Sequence, residues 1–69
     1  MIVIEKRWNS LLQAHELTYL ANTAADVVIG DLDPDCASGS VVLVVDTEDV
    51  YMKNTQGQWQ KLGTTEVIA

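Results

Sequence analysis

Asn9-Ser10-Leu11-Leu12-Gln13-Ala14-His15-Glu16-Leu17-Thr18-Tyr19-Leu20-Ala21-Asn22-Thr23-Ala24-Ala25 contains no glycine or proline and is rich in Leu, Ala, Gln and Glu. These are good helix formers, so the class of the fold turns on whether this stretch is helical. Ser10 and Gln13 have the spacing of a capping box, in which two side chains satisfy free backbone N–H groups of a first turn. The reading is one main helix over about residues 10–25. At about 100° per residue, Trp8, Leu11, Leu12, His15 and Tyr19 share one face, and Leu17, Leu20, Ala21 and Ala24 lie roughly opposite. Two apolar stripes predict a helix covered from both sides, the second cover coming from another subunit.

On its N-terminal side, Ile2-Val3-Ile4 is β-branched and reads as a short strand within an extended arm over 1–7. On its C-terminal side, Val27-Val28-Ile29 reads as a short strand closed by Gly30. Asp31-Leu32-Asp33-Pro34-Asp35-Cys36-Ala37-Ser38-Gly39-Ser40 is rich in turn residues. Val41-Val42-Leu43-Val44-Val45 is the strongest strand signal, with Val41, Leu43 and Val45 facing one way and Val42 and Val44 the other. Neither face suits water, which predicts a central strand covered on both sides. Asp46-Thr47-Glu48-Asp49 is a turn and Val50–Lys53 the next strand. Asn54-Thr55-Gln56-Gly57 forms a hairpin loop, and Gln58–Leu62 returns. Pairing Lys53 with Gln58 would set Met52 beside Trp59 on one face. Residues 64–69 are a mostly apolar arm.

The expected fold is therefore α+β: one main helix (about 10–25) packed on a three- to four-stranded, mainly antiparallel β-meander (41–45, 50–53, 58–62). The whole chain, 1–69, is a single small domain. At 69 residues it buries a smaller share of its surface than an average domain. Folds of this size gain stability from disulfides, metals or partners. Cys36 is the single cysteine, which excludes an internal disulfide, and His15 with Cys36 cannot complete a four-ligand zinc site. Partners remain.

The net charge is −6, and seven acids (Asp26, Asp31, Asp33, Asp35, Asp46, Glu48, Asp49) lie between 26 and 49 without a Lys or Arg. Such a surface repels phosphate backbones, so no nucleic-acid partner is expected. No apolar run approaches the ~20 residues that span a bilayer, so no membrane partner is expected either. The N-terminus places its charges after the apolar residues, the reverse of a secretion signal, and points to synthesis in the cytoplasm.

Chemistry is sparse. Asp31, Asp33 and Asp35 alternate like the start of a calcium loop, but Cys36 replaces the required glycine and Val42 the closing Glu. A thiolate–imidazole pair of Cys36 and His15 lacks a third orienting group, and neighbouring acids disfavour a thiolate. No catalytic residue, metal or cofactor is expected. Trp8, Leu12, His15, Tyr19, Val42, Val44, Tyr51, Met52 and Trp59 are expected to pack in a core or against a partner.

Gly39-Ser40-Val41, Asp46-Thr47, Val50-Tyr51-Met52, Asn54, Gly57 and Trp59 together resemble a segment of small structural proteins of tailed bacteriophages and prophages. The likeness covers roughly residues 32–63. It implies a virion protein of the head, or of the neck or tail, that binds its own copies or the major capsid protein. A role as a small acidic regulator that blocks a basic site on a host protein is the alternative from another class.

Overall fold

The computed structural model describes residues 2–29 and 36–68. Five strands and one short helix follow in the order β1 (Ile2–Asn9), β2 (Ala14–Ala21), α1 (Ala24–Ile29), β3 (Val41–Val44), β4 (Asp49–Lys53) and β5 (Trp59–Lys61). The strands form one sheet in sequence order. β1–β2, β3–β4 and β4–β5 are antiparallel, whereas β2 and β3 run parallel from Thr18↔Val41 to Ala21↔Val44.

This overturns the α+β expectation of a main helix on a β-meander. Residues 10–25 are not helical as a unit: they supply a hairpin turn, the whole of β2 and only the start of α1. Helix propensity is a weak prior that tertiary pairing overrides. Two local features favour the strand. The Asn9 Oδ1 accepts from the N–H groups of Leu11 (3.0 Å) and Leu12 (3.2 Å), which bends the chain into a turn where Ser10 would have opened a helix. Gln13 then takes φ 50°, the left-handed region, and ends the turn. Beyond it, Leu17, Tyr19 and Ala21 are buried while Glu16, Thr18 and Leu20 are half-exposed, the period-two pattern of a strand.

The helix that does form lies where a strand was expected, at Val27-Val28-Ile29. Thr23 and Asp26 make a reciprocal cap, Asp26 N–H to Thr23 Oγ1 and Thr23 N–H to Asp26 Oδ2, each 3.3 Å. That geometry satisfies two of the free donors of a first turn. Neither terminus is an extended arm. Residues 2–9 are an edge strand, and the tail returns along β5 through Lys61 N–H to Glu66 O (2.8 Å) and Ile68 N–H to Trp59 O (3.0 Å). The expected acidic turn at 31–35 lies outside the described residues.

The core sits on one face of the sheet. Leu17, Tyr19 and Ala21 of β2, Val42 and Val44 of β3, Tyr51 of β4 and Trp59 of β5 pack there beneath Val27 of α1, with Cys36 and Ile68 at the margin. Tyr19 and Trp59 meet edge to face at 6.1 Å and 88°, an arrangement that adds about 0.5–1.5 kcal/mol beyond area burial. Ser40 closes a gap in the ladder. The parallel pairing of β2 with β3 begins at Thr18, so the N–H of Leu17 finds no strand partner and donates instead to the buried Ser40 Oγ at 3.0 Å. A Ser40→Ala variant leaves that donor unsatisfied in the core. It is expected to lower stability by about 1–3 kcal/mol in denaturant melts, with the slope of the transition unchanged.

Candidate interaction surface

The opposite face of the sheet carries the surface of interest. Ile2 pairs with Leu20, Leu20 with Leu43, and Leu43 with Val50; the Leu62 N–H donates to Val50 O at 2.9 Å. Paired residues point to the same side of a sheet. These contacts therefore align Ile2, Leu20, Leu43, Val50 and Leu62 in one apolar row from β1 through β4 to the residue that follows β5, about 19 Å from end to end at ~4.8 Å per strand. A second row, Thr18, Val41, Met52 and Gln60, lies beside it. Ile2, Leu43, Met52 and Leu62 are exposed, and Leu20, Val41 and Val50 are half-buried. β3 is the middle strand, as its composition demands, yet only its Val42–Val44 side is covered.

Polar groups flank the rows on both sides, at the two ends of the strands. Towards the β1–β2 turn, Arg7 meets Glu5 (2.8 Å) and Glu16 (3.6 Å), and Asn9 Nδ2 donates to Glu16 Oε1 at 2.9 Å. At the other end the β3–β4 turn exposes Asp46, Thr47 and Glu48. A shallow depression of about 200 Å³ next to Met52, Gln60 and Leu62 is smaller than the ~300–1,000 Å³ of small-molecule sites.

A second apolar group projects at the β1–β2 turn. Leu11 is 95 % exposed, and Trp8 and Leu12 are more than half exposed. Trp8 stands across the ladder from His15, their rings 5.1 Å apart and steeply inclined, so its indole is held in place while its outer surface faces solvent.

Of the nine residues expected to be core or interface, Tyr19, Val42, Val44, Tyr51 and Trp59 are core. Trp8 and Leu12 are on the hairpin, His15 is half-buried beneath Trp8, and Met52 is on the open face. The expected Met52–Trp59 contact does not form. Lys53 pairs with Trp59 and Met52 with Gln60, and a one-residue change of register moves a side chain to the other face. Lys53 takes the place beside Trp59, its Nζ 5.6 Å from the ring centre. Ile2, Leu20, Leu43, Val50 and Leu62 were not singled out by the helical reading, which placed Leu20 on a helix stripe and Ile2 in an arm. Period-two alternation through 17–21 was the signal that would have found the row.

His15 and Cys36 come together as a backbone bridge, with Ala37 N–H donating to His15 O at 2.9 Å, and Cys36 packs against the core. Among the described residues no group of three or more His, Cys, Asp and Glu is placed to hold a metal ion, and no helix is long and apolar enough to cross a membrane.

No family model, curated protein or solved structure matches the chain. The open face and the hairpin therefore have to be interpreted from their own chemistry. The two faces of the sheet should respond oppositely to substitution. Trp59→Ala removes a buried ring and is expected to cost about 3–5 kcal/mol. Leu62→Lys, on the open face, is expected to stay within about 0.5 kcal/mol of the parent. Equilibrium urea unfolding of both variants checks the contrast.

Proposed function

We propose that the chain is a non-enzymatic structural subunit of a phage particle, most specifically a minor head protein that decorates or stabilises the capsid by burial between subunits. The observation that carries this reading is the apolar row from Ile2 to Leu62 on a sheet face that the described residues leave uncovered. A contiguous apolar surface rimmed by polar groups is the usual form of a protein–protein contact. The resemblance at Gly39–Trp59 to small proteins of tailed phages supplies the kind of assembly. Its partners on this reading are copies of itself and the major capsid protein, its location the virion, and its site of synthesis the bacterial cytoplasm.

A neck or tail subunit would use the same surface, and only position in the particle separates it from a head protein. A regulator that blocks a basic host site is less well supported. It would need the acids of 26–49 gathered on one exposed face, whereas Asp26 is engaged in the cap of α1 and Asp49 lies 3.4 Å from Lys61 Nζ.

Co-sedimentation with assembled capsid shells tests the reading. The parent chain is expected to bind shells saturably. A Met52→Lys/Leu62→Lys variant, folded but charged across the open face, is expected to lose at least about tenfold in affinity. Binding to tails and not to shells would move the protein to the neck or tail. A stable monomer with affinity for neither would overturn the proposal.

A further inference from the structure

The outer side of β5 is covered by a short return of the chain. Leu62 still follows the β4 ladder through its N–H to Val50 O, and the chain then turns at Gly63, where φ is 79°. Residues 66–68 come back antiparallel. Gln60 stands opposite Val67, the Lys61 N–H donates to Glu66 O (2.8 Å), and the Ile68 N–H donates to Trp59 O (3.0 Å). That register sets Ile68 beside Trp59 on the core side. It also sets Glu66 beside Lys61, whose Nζ lies 3.9 Å from Glu66 Oε2. The attachment is slight. Residues 62–67 are exposed, and the anchor of the segment is Ile68, half-buried at the margin of the core. Thr64 Oγ1 holds the turn by donating to Lys61 O and accepting from Glu66 N–H, each at 3.0 Å, but both bonds are exposed and water can replace them. Thr64 and Thr65 are themselves β-branched and favour extended chain over a turn.

We infer that residues 64–68 are a strap that opens while the sheet stays folded, and that the uncovered β5 edge accepts an extended segment of a partner protein with the strap's own pattern, a carboxylate and an aliphatic residue two positions apart. Such a segment adds to the sheet as an antiparallel strand: the main chain supplies the bonds and alternate side chains the selectivity. Its aliphatic residue takes the place of Ile68 beside Trp59, and its carboxylate takes the place of Glu66 at Lys61. Opening is easy because few buried contacts and exposed hydrogen bonds mark the low end of local stability. The closed state also carries a cost at Trp59. Its Nε1 is buried with no hydrogen-bond partner among the described residues, and a state that lets water or a partner reach the indole relieves that cost. While closed, the strap holds the edge against indiscriminate pairing. A segment that matches both side-chain positions displaces it. Strand acceptance at β5 is independent of the capsid reading and of the open sheet face.

Amide exchange and peptide binding on the full chain test it. By NMR, the Lys61 and Ile68 amides should exchange at least about tenfold faster than the amides that join β3 to β4, at a rate that low urea leaves unchanged, as local opening requires. A peptide Thr-Thr-Glu-Val-Ile, titrated to about 1 mM, should shift the Trp59 and Lys61 signals saturably. Ile68→Ala removes the anchor of the strap and not a core side chain. Because apparent affinity scales with the open fraction, this variant should bind the peptide at least about tenfold more tightly than the parent. A peptide ending in Asp in place of Ile should bind neither chain. Lys61 and Ile68 amides that exchange only with global unfolding would overturn the inference. So would a peptide that binds neither chain, or one that binds as well with its aliphatic residue replaced. Capsid-shell binding by a chain whose strap never opens would sink the strap and leave the structural-subunit reading standing; peptide binding without shell binding would do the reverse.

Discussion

The parallel pairing of β2 with β3 is the constraint from which the rest of the architecture follows. Antiparallel neighbours can be joined by a tight turn, but parallel neighbours need a connection that travels back along the full strand. Here that connection takes up residues 22–40, more than a quarter of the chain, and α1 within it covers one face through Val27. The remaining segments are strands and short turns, apart from a tail that lies along β5. Among the described residues one short helix lies over the sheet, and it covers a single face. The open row from Ile2 to Leu62 is thus a consequence of topology acting on a sequence whose central strand is apolar on both sides.

The same constraint explains how much of the fold was legible. β3, β4 and β5 lie close to the strands read at 41–45, 50–53 and 58–62, because the apolar Val41–Val45 run and the turn residues at Asp46–Glu48 and Asn54–Gly57 act locally. In the last hairpin, Asn54 Oδ1 accepts from Gln56 and Gln58 N–H groups at 3.0 Å while Gly57 takes φ 77°. The main helix was misread for the opposite reason. Residues 14–21 carry good helix formers, and what makes them a strand is long-range: β1 on one side, β3 on the other, and the Ser40 hydroxyl at Leu17. Nothing within the segment announces those partners. Once the helix was assumed, Leu17 and Leu20 fell on one stripe, though in the strand they occupy opposite faces. The strand that forms there, with Leu17 and Tyr19 on one side and Leu20 on the other, is apolar on both faces, as the expected helix would have been.

The exposed apolar groups are selective. A sheet in solution is most vulnerable at its edges, where unpaired backbone groups invite uncontrolled pairing. At the β5 edge, the Lys61 N–H donates to Glu66 O and the Trp59 carbonyl accepts from Ile68 N–H, because residues 66–68 lie alongside. At the β1 edge, Glu5, Lys6 and Arg7 stand in succession and the register breaks between Val3 and Glu5; charge and irregularity both discourage a further strand. Both edges are thus guarded by recognised devices, while the face between them and the tip beyond β1 are left apolar. A chain that only needed to stay soluble would gain from a polar residue at Leu11, which is 95 % exposed and supports nothing in the core. Guarded edges beside an unguarded face and tip favour contact through side chains over open-ended backbone pairing.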